Sequence, residues 1–156
     1  MASTKNEIDG LTMTQLSELR GPRGSVLHML RCDSSDFTRF GESYFSEILP
    51  GAVNAWKRHR AQTQNLAVPV GRIQTVVYDD RAGSPTCGQV KSLEMGRPDA
   101  YIRLCIPPEL WYGFKCLSDT PALIANCTDM PHDPEEGEVR SIDDPDMPHF
   151  REILLL

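Results

Sequence analysis

Gly51-Ala52-Val53-Asn54-Ala55-Trp56-Lys57-Arg58-His59, running on through Gln64 to Gly71, is the stretch that decides how this chain folds. Five residues separate Gly51 from Lys57, one separates Lys57 from His59, four separate His59 from Gln64 and six separate Gln64 from Gly71. Val53 to His59 reads as a strand, and alternate residues of a strand share a face, so Lys57 and His59 project together into a barrel interior. A transition-metal site wants several imidazoles and carboxylates, and an ammonium and a carboxamide replace them poorly. His59 alone remains as a ligand there, which predicts no catalytic metal and no cofactor. What remains is a titratable group of Lys57, His59 and, further along, Tyr112, residue types that perform general acid and base work. A partly buried Lys can be tuned towards neutrality, where His already titrates.

Outward from this stretch the texture is the same. Ser25 to Arg31, Glu42 to Leu49, Leu66 to Val70, Arg72 to Tyr78, Gln89 to Glu94, Ala100 to Ile106, Trp111 to Leu117 and Ala122 to Cys127 read as short strands parted by Gly, Pro, Asp and Ser. Many short strands predict an all-β sandwich or barrel. Leu11, Thr14, Leu16 and Leu19 are loosely periodic and end at Gly21-Pro22, which predicts a short N-terminal helical segment in an extension over residues 1–22. The main domain is then residues 23–156. It closes in an acidic, Pro-rich segment from Asp129 to Asp146, most of whose charges read as a solvated loop packed over the barrel.

The 156 residues fit one domain, and with 40% hydrophobic residues they can bury a core. The formal net charge is -6, a poor basis for clamping nucleic-acid phosphates. That charge is local: Asp129 to Asp146 holds eight of the 22 acidic residues and one of the 16 basic ones, leaving 14 acidic against 15 basic elsewhere. A near-neutral barrel of this kind does not argue against a small diphosphate ligand, which needs one or two well-placed Arg. No run approaches the roughly eighteen apolar residues of a membrane span. Met1 to Glu7 lacks the apolar stretch of a signal peptide, and Cys32, Cys87, Cys105, Cys116 and Cys127 form no Cys-x-x-Cys pair. The reading is a cytoplasmic protein with free thiols.

The spacing from Gly51 to Gly71 resembles the first cupin motif, with Lys57 in place of its first His and Gln64 in place of its Glu. Ile106-Pro107-Pro108-Glu109-Leu110-Trp111-Tyr112-Gly113-Phe114 resembles the second, with Tyr112 where a His belongs. From Arg23 onward the chain resembles the dTDP-4-dehydrorhamnose 3,5-epimerase family and related dTDP-sugar isomerases. Arg23-Gly24, Ser84-Pro85-Thr86-Cys87-Gly88-Gln89, Ile106-Pro107-Pro108 with Gly113-Phe114, and Gly137 to Pro145 match its motifs in order. The resemblance implies a cupin double-stranded β-helix (a jelly-roll barrel), a homodimer, a nucleotide-sugar substrate, and an Arg23 that contacts the nucleotide diphosphate.

The family's reacting residues carry over badly. In the epimerases a His in Arg-Gly-Leu-His takes the proton beside the ketone; here Lys57 stands in its place and Asn54 in place of the Arg. The family's Tyr follows Thr-Asn or Thr-Asp, but Thr128-Asp129 is followed by Met130-Pro131, and the family's Lys falls near Gln64. The positions of Lys57, His59 and Gln64 instead resemble the His-x-His and Gln of the dTDP-sugar 3,4-ketoisomerases. The expected catalytic set is therefore His59, Lys57 and Tyr112. The expected substrate-binding set is Arg23, Glu42, Tyr44, Gln64, Trp111 and Asn126. Seven of the nine have a plainer reading: His59 bonded at a barrel rim, Lys57 as an edge-strand charge, Tyr112 and Trp111 as packed aromatics, Arg23 in a surface ion pair, Glu42 and Tyr44 facing solvent. The resulting expectation is a metal-independent epimerase or isomerase of a nucleotide-linked 4-keto-6-deoxy sugar. The alternative is a non-catalytic sugar-nucleotide- or small-ligand-binding cupin that has lost the acid and base; a metal-dependent oxygenase ranks third.

Overall fold

A computed structural model describes residues 7–155. Two five-stranded sheets face each other. The strands that build them are β1 (Thr12–Gln15), β4 (Glu42–Ile48), β5 (Val53–His59), β6 (Gln64–Val70), β7 (Arg72–Tyr78), β8 (Val90–Gly96), β9 (Ile102–Ile106), β10 (Trp111–Cys116), β11 (Ala122–Thr128) and β12 (Gly137–Val139). One sheet has the order β1-β9-β6-β11-β4 and the other β12-β5-β10-β7-β8, and every paired neighbour in them is antiparallel. β2 (Glu18–Gly21) and β3 (Gly24–Leu27) form a separate hairpin. This is the expected jelly-roll barrel.

Strand alternation sorts the core. Leu66, Val68, Ile73, Val77, Leu104, Ile106, Tyr112 and Ile124 point between the sheets and form the main apolar cluster. Their alternates point outward and are covered from both ends of the chain. Trp56, Val76 and Trp111 pack under Met147 and Phe150 of the C-terminal segment, whose short helix α1 spans Phe150–Ile153. Leu27 and Met29 pack on Leu16, Ala67 and Tyr101.

The N-terminal segment departs from expectation. Residues expected to be helical form β1 and β2, and the described part of the proposed extension is built into the fold, residues 1–6 lying outside the described residues. Thr12 to Gln15 gain a full ladder against Cys105 to Ile102 of β9, which outweighs a weak helical period. The period was weak because Leu11 and Leu16 enter different clusters, while Leu19 is 56% exposed. The acidic segment also contributes more than a loop, since β12 pairs with β5.

The β5–β10 pairing contains a bulge. Tyr112 faces Lys57 and Phe114 faces Asn54, so β5 holds one extra residue. Asn54 and Lys57 thereby reach the same cavity although they are three apart in sequence. Gly113 sits opposite the bulge, where a Cβ would lie 2.4 Å from the Ala55 Cβ and 2.8 Å from the Phe150 ring. We expect Gly113→Ala to cost about 1–3 kcal/mol through overpacking, read as a lower urea midpoint with an unchanged m-value.

Candidate active site

The barrel interior opens into a cavity of about 90 Å³ lined by Tyr44, Ser46, Asn54, Lys57, Leu66, Tyr112, Phe114, Ile124 and Asn126. One wall comes from β4, β6 and β11, the other from β5 and β10. Four of the nine residues expected from sequence lie here: Tyr44, Lys57, Tyr112 and Asn126.

His59 stands one layer back. Its Nε2 lies 3.0 Å from the Tyr112 hydroxyl and its Nδ1 lies 2.7 Å from Glu136 Oε2. Register explains the meeting, because Gly137 of β12 pairs with His59 of β5 and so sets Glu136 beside the imidazole. The other carboxylate oxygen, Oε1, accepts the backbone N–H groups of Ala61 at 3.0 Å and Gln62 at 2.9 Å. Burial pushes the Glu136 carboxyl up, but these two donors and His59 together hold it below its ordinary 4.5. Burial pulls His59 below its ordinary 6.5 and Glu136 only partly offsets this, with Lys57 and His132 adding to the fall. Near pH 7 the imidazole is neutral and the carboxylate ionised. A carboxylate only accepts, so Nδ1 carries the proton and Nε2 accepts the Tyr112 O–H. Burial raises the Tyr112 hydroxyl far above its ordinary value, so its resting state is the phenol. Both ring nitrogens are engaged, and His59 meets the cavity through Tyr112.

Behind the opposite wall runs a second polar chain. Asn126 Nδ2 donates to the Tyr44 hydroxyl at 2.9 Å and to Gln64 Oε1; Gln64 Nε2 donates to Gln62 Oε1; Gln62 Nε2 donates to the Met130 carbonyl at 2.7 Å. Gln64 is 1% exposed and supports the wall from behind Asn126. Lys57 is exposed at the cavity, with no ion pair or hydrogen bond among the described residues.

The remaining expected residues lie elsewhere. Glu42 accepts the His132 backbone N–H at 2.8 Å and anchors the loop that leads to Glu136. Trp111 faces away from the cavity: its indole N–H donates to Asp80 at 2.9 Å, and the Arg58 guanidinium lies 4.5 Å over its ring. The reason is alternation, since Tyr112 takes the inward position on β10. Arg23 is exposed in the turn between β2 and β3, in a separate depression formed by residues 19–26. Glu136 is the residue of this arrangement that sequence reasoning missed, hidden among seven other acidic residues of a segment that is otherwise mostly solvated. Among the described residues, no group of three or more His, Cys, Asp or Glu side chains is placed to hold a metal ion.

Comparison with known proteins gives this geometry its context. The family model described as dTDP-4-dehydrorhamnose 3,5-epimerase matches residues 50–149. The chain belongs to the dTDP-4-dehydrorhamnose 3,5-epimerase family. A probable low-salt glycan biosynthesis epimerase, Agl13 of Haloferax volcanii, is 34% identical over 122 residues, covering 77% of this chain and 78% of that protein. The spore coat polysaccharide biosynthesis protein SpsL of Bacillus subtilis is 30% identical over 135 residues, 86% of this chain and 89% of that one. A dTDP sugar isomerase from Desulfovibrio desulfuricans G20 superposes with a TM-score of 0.88 at 52% identity, over 90% of each chain. Membership of the dTDP-4-dehydrorhamnose 3,5-epimerase family thus supports dTDP-sugar epimerase- or isomerase-like chemistry and makes the Lys57 and Met130 departures local changes within a retained barrel.

Two outcomes test the buried pair. Native His59 binds its proton below 6.5, so between that lowered value and 6.5 the unfolded chain holds more protons. His59 therefore contributes stability above pH 6.5 that is lost as pH falls through the window. Glu136→Gln should remove about 1–3 kcal/mol, the worth of hydrogen bonds to a charged group. It should also move the His59 titration, followed by NMR, to still lower pH. A wild-type His59 titrating above 6.5 contradicts the assigned tautomer.

Proposed function

We propose that this protein is a metal-independent epimerase or isomerase acting on a nucleotide-linked 4-keto-6-deoxy sugar, taking the proton beside the ketone through Tyr112. The observation that carries the reading is the line Tyr112–His59–Glu136, with Tyr112 at the cavity and a neutral imidazole behind it. The ketone acidifies the neighbouring C–H. As that proton moves to the Tyr112 oxygen, the Tyr112 hydroxyl proton passes to His59 Nε2, and Glu136 stabilises the imidazolium that forms. This is the logic of a Ser-His-Asp triad applied to a phenol. Because burial disfavours a standing phenolate, the two transfers occur together. His59 and Glu136 act through Tyr112 and are positioning residues. Lys57 supplies positive charge where the enolate oxygen develops. Tyr44 and Asn126, supported by Gln64, hold the ring from the other wall.

The cavity, about 90 Å³, is well below the roughly 300–1,000 Å³ of pockets that enclose a whole ligand. It therefore takes the reacting edge of one sugar ring and leaves the nucleotide diphosphate at the mouth, near the loop anchored by Glu42. A homodimer in which the β2–β3 hairpin of one copy overlies the mouth of the other brings Arg23 to that diphosphate. The exposed Phe45 on edge strand β4 and Leu19 and Val26 on the hairpin support such an association. Five free thiols fit a reducing, cytoplasmic setting.

The test is incubation with dTDP-4-keto-6-deoxyglucose in heavy water, with deuterium at C3 and C5 followed by NMR. We expect incorporation at one or both carbons, reduced by about 10²–10⁴ in Tyr112→Phe, the usual worth of a positioned acid–base group. Incorporation at both carbons means 3,5-epimerisation; at C3 alone it means single epimerisation or ketoisomerisation. Binding without exchange assigns the protein to the non-catalytic class.

A further inference from the structure

The family's proton donor is missing at Met130, yet the cavity holds a second phenol, Tyr44, on the sheet opposite Tyr112. Its hydrogen bonding is fully directed. The Asn65 backbone N–H donates to Asn126 Oδ1 at 3.2 Å, so the Asn126 amide group must point at Tyr44 and Gln64. At the far end the Met130 carbonyl can only accept, so Gln62 donates there and accepts from Gln64. A backbone donor and a backbone acceptor thus fix the sense of every bond between them. The consequence falls on Tyr44: its oxygen accepts from Asn126, and its own proton has no acceptor among the described residues. Burial raises its hydroxyl above the ordinary value, with Glu42 and Glu136 adding to the rise, which keeps that proton in place.

We infer that Tyr44 is the catalytic acid of this site, delivering a proton to the sugar carbon from the face opposite Tyr112. The inference rests on the reaction assigned above. Tyr112 takes the C–H proton from one face while its own proton goes to His59, and the electron pair enters the enolate. The Tyr44 O–H bond then breaks and a new C–H bond forms on the other face, inverting the carbon. The Tyr44 phenolate recovers a proton from water at the open side of the cavity, and His59 returns its proton to solvent through Tyr112, so protons balance. The two phenols are divided by what stands behind each: an acceptor, His59 Nε2, behind Tyr112, and a donor, Asn126 Nδ2, behind Tyr44.

The experiment compares wild type, Tyr44→Phe and Tyr112→Phe with dTDP-4-keto-6-deoxyglucose in heavy water, scoring solvent exchange and inversion separately in one NMR time course, with folding checked by circular dichroism. Tyr44→Phe should still exchange deuterium into recovered substrate while inversion falls, raising the ratio of exchange to inversion at least tenfold. Tyr112→Phe should lose both together. If Tyr44→Phe is misfolded, Asn126→Asp serves instead, because a carboxylate captures the Tyr44 proton and should give the same raised ratio. Inversion at the wild-type rate in Tyr44→Phe, or parallel loss of exchange and inversion, overturns the role of Tyr44 alone. A wild-type protein that exchanges nothing overturns the reaction itself.

Discussion

The hydrogen bond between His59 Nδ1 and Glu136 is the constraint on which the site depends. A carboxylate buried beside an imidazole is costly unless its oxygens are satisfied. Here the imidazole and the backbone N–H groups of Ala61 and Gln62 satisfy them, so the arrangement exists only when the chain after β11 returns to β5. That return is tied at several points. Arg39 donates to the Asp129 carbonyl, Thr63 N–H to the Asp129 carboxylate, and Glu42 accepts from His132. Three residues of β12 then complete the register. The acidic loop is therefore the back wall of the proposed proton relay, and its Glu136 and Glu138 charges are consumed locally. Arg58 pairs with Glu138, and Arg140 lies near Asp144, so the cavity keeps Lys57 as an unneutralised cation.

How much of this was legible in the sequence follows from the range of the forces involved. Strands β4 to β11 were readable because alternation and turn residues are local signals, and the boundaries agree to within two residues. The inward pairing of Lys57 with His59 was readable for the same reason. β1 and β12 were not, since each is held by a ladder to a strand far away in sequence, β9 and β5, and neither carries an apolar alternation of its own. Glu136 was invisible because a carboxylate that will be buried looks like its solvated neighbours until register is known. Trp111 was misassigned for a subtler cause: Trp111 and Tyr112 are adjacent, so one must face the cavity and the other must not. Motif spacing supports Tyr112 in that position, while the general affinity of aromatic rings for sugars made both attractive. Tyr44 was readable as a candidate, but the role proposed for it depends on Asn126 and Gln64, which converge from β11 and β6.

The bulge in β5 shows how the family's barrel can be kept while the residues at its cavity change. The extra residue brings Asn54 and Lys57 to one cavity and turns Trp56 outward against Phe150, at 4.9 Å between ring centroids. A His at position 57 would stand at the cavity itself, whereas His59 stands behind Tyr112. In the proposed reaction, moving the imidazole back by two residues interposes a phenol between base and substrate, and the carboxylate follows, supplied by the residue just before β12. In that reading a base that works through a phenol gains reach, and the resting phenol adds no second charge to the cavity beside Lys57.

Two phenols then face each other from opposite sheets with the same intrinsic acidity, and neither can choose a task by itself. The choice is made one layer back. Behind Tyr112 lies an acceptor whose polarity is set by Glu136, and behind Tyr44 lies a donor whose polarity is set by the Asn65 N–H at one end and the Met130 carbonyl at the other. Both settings trace to groups that cannot reverse: an ionised carboxylate, a backbone amide and a backbone carbonyl. Reversing either phenol would require breaking secondary structure or burying an unsatisfied polar group, each far more costly than rotating a hydroxyl. In the proposed reaction, proton flow across this cavity consequently has a direction built into the fold, even though the two side chains that exchange protons with the sugar are chemically alike.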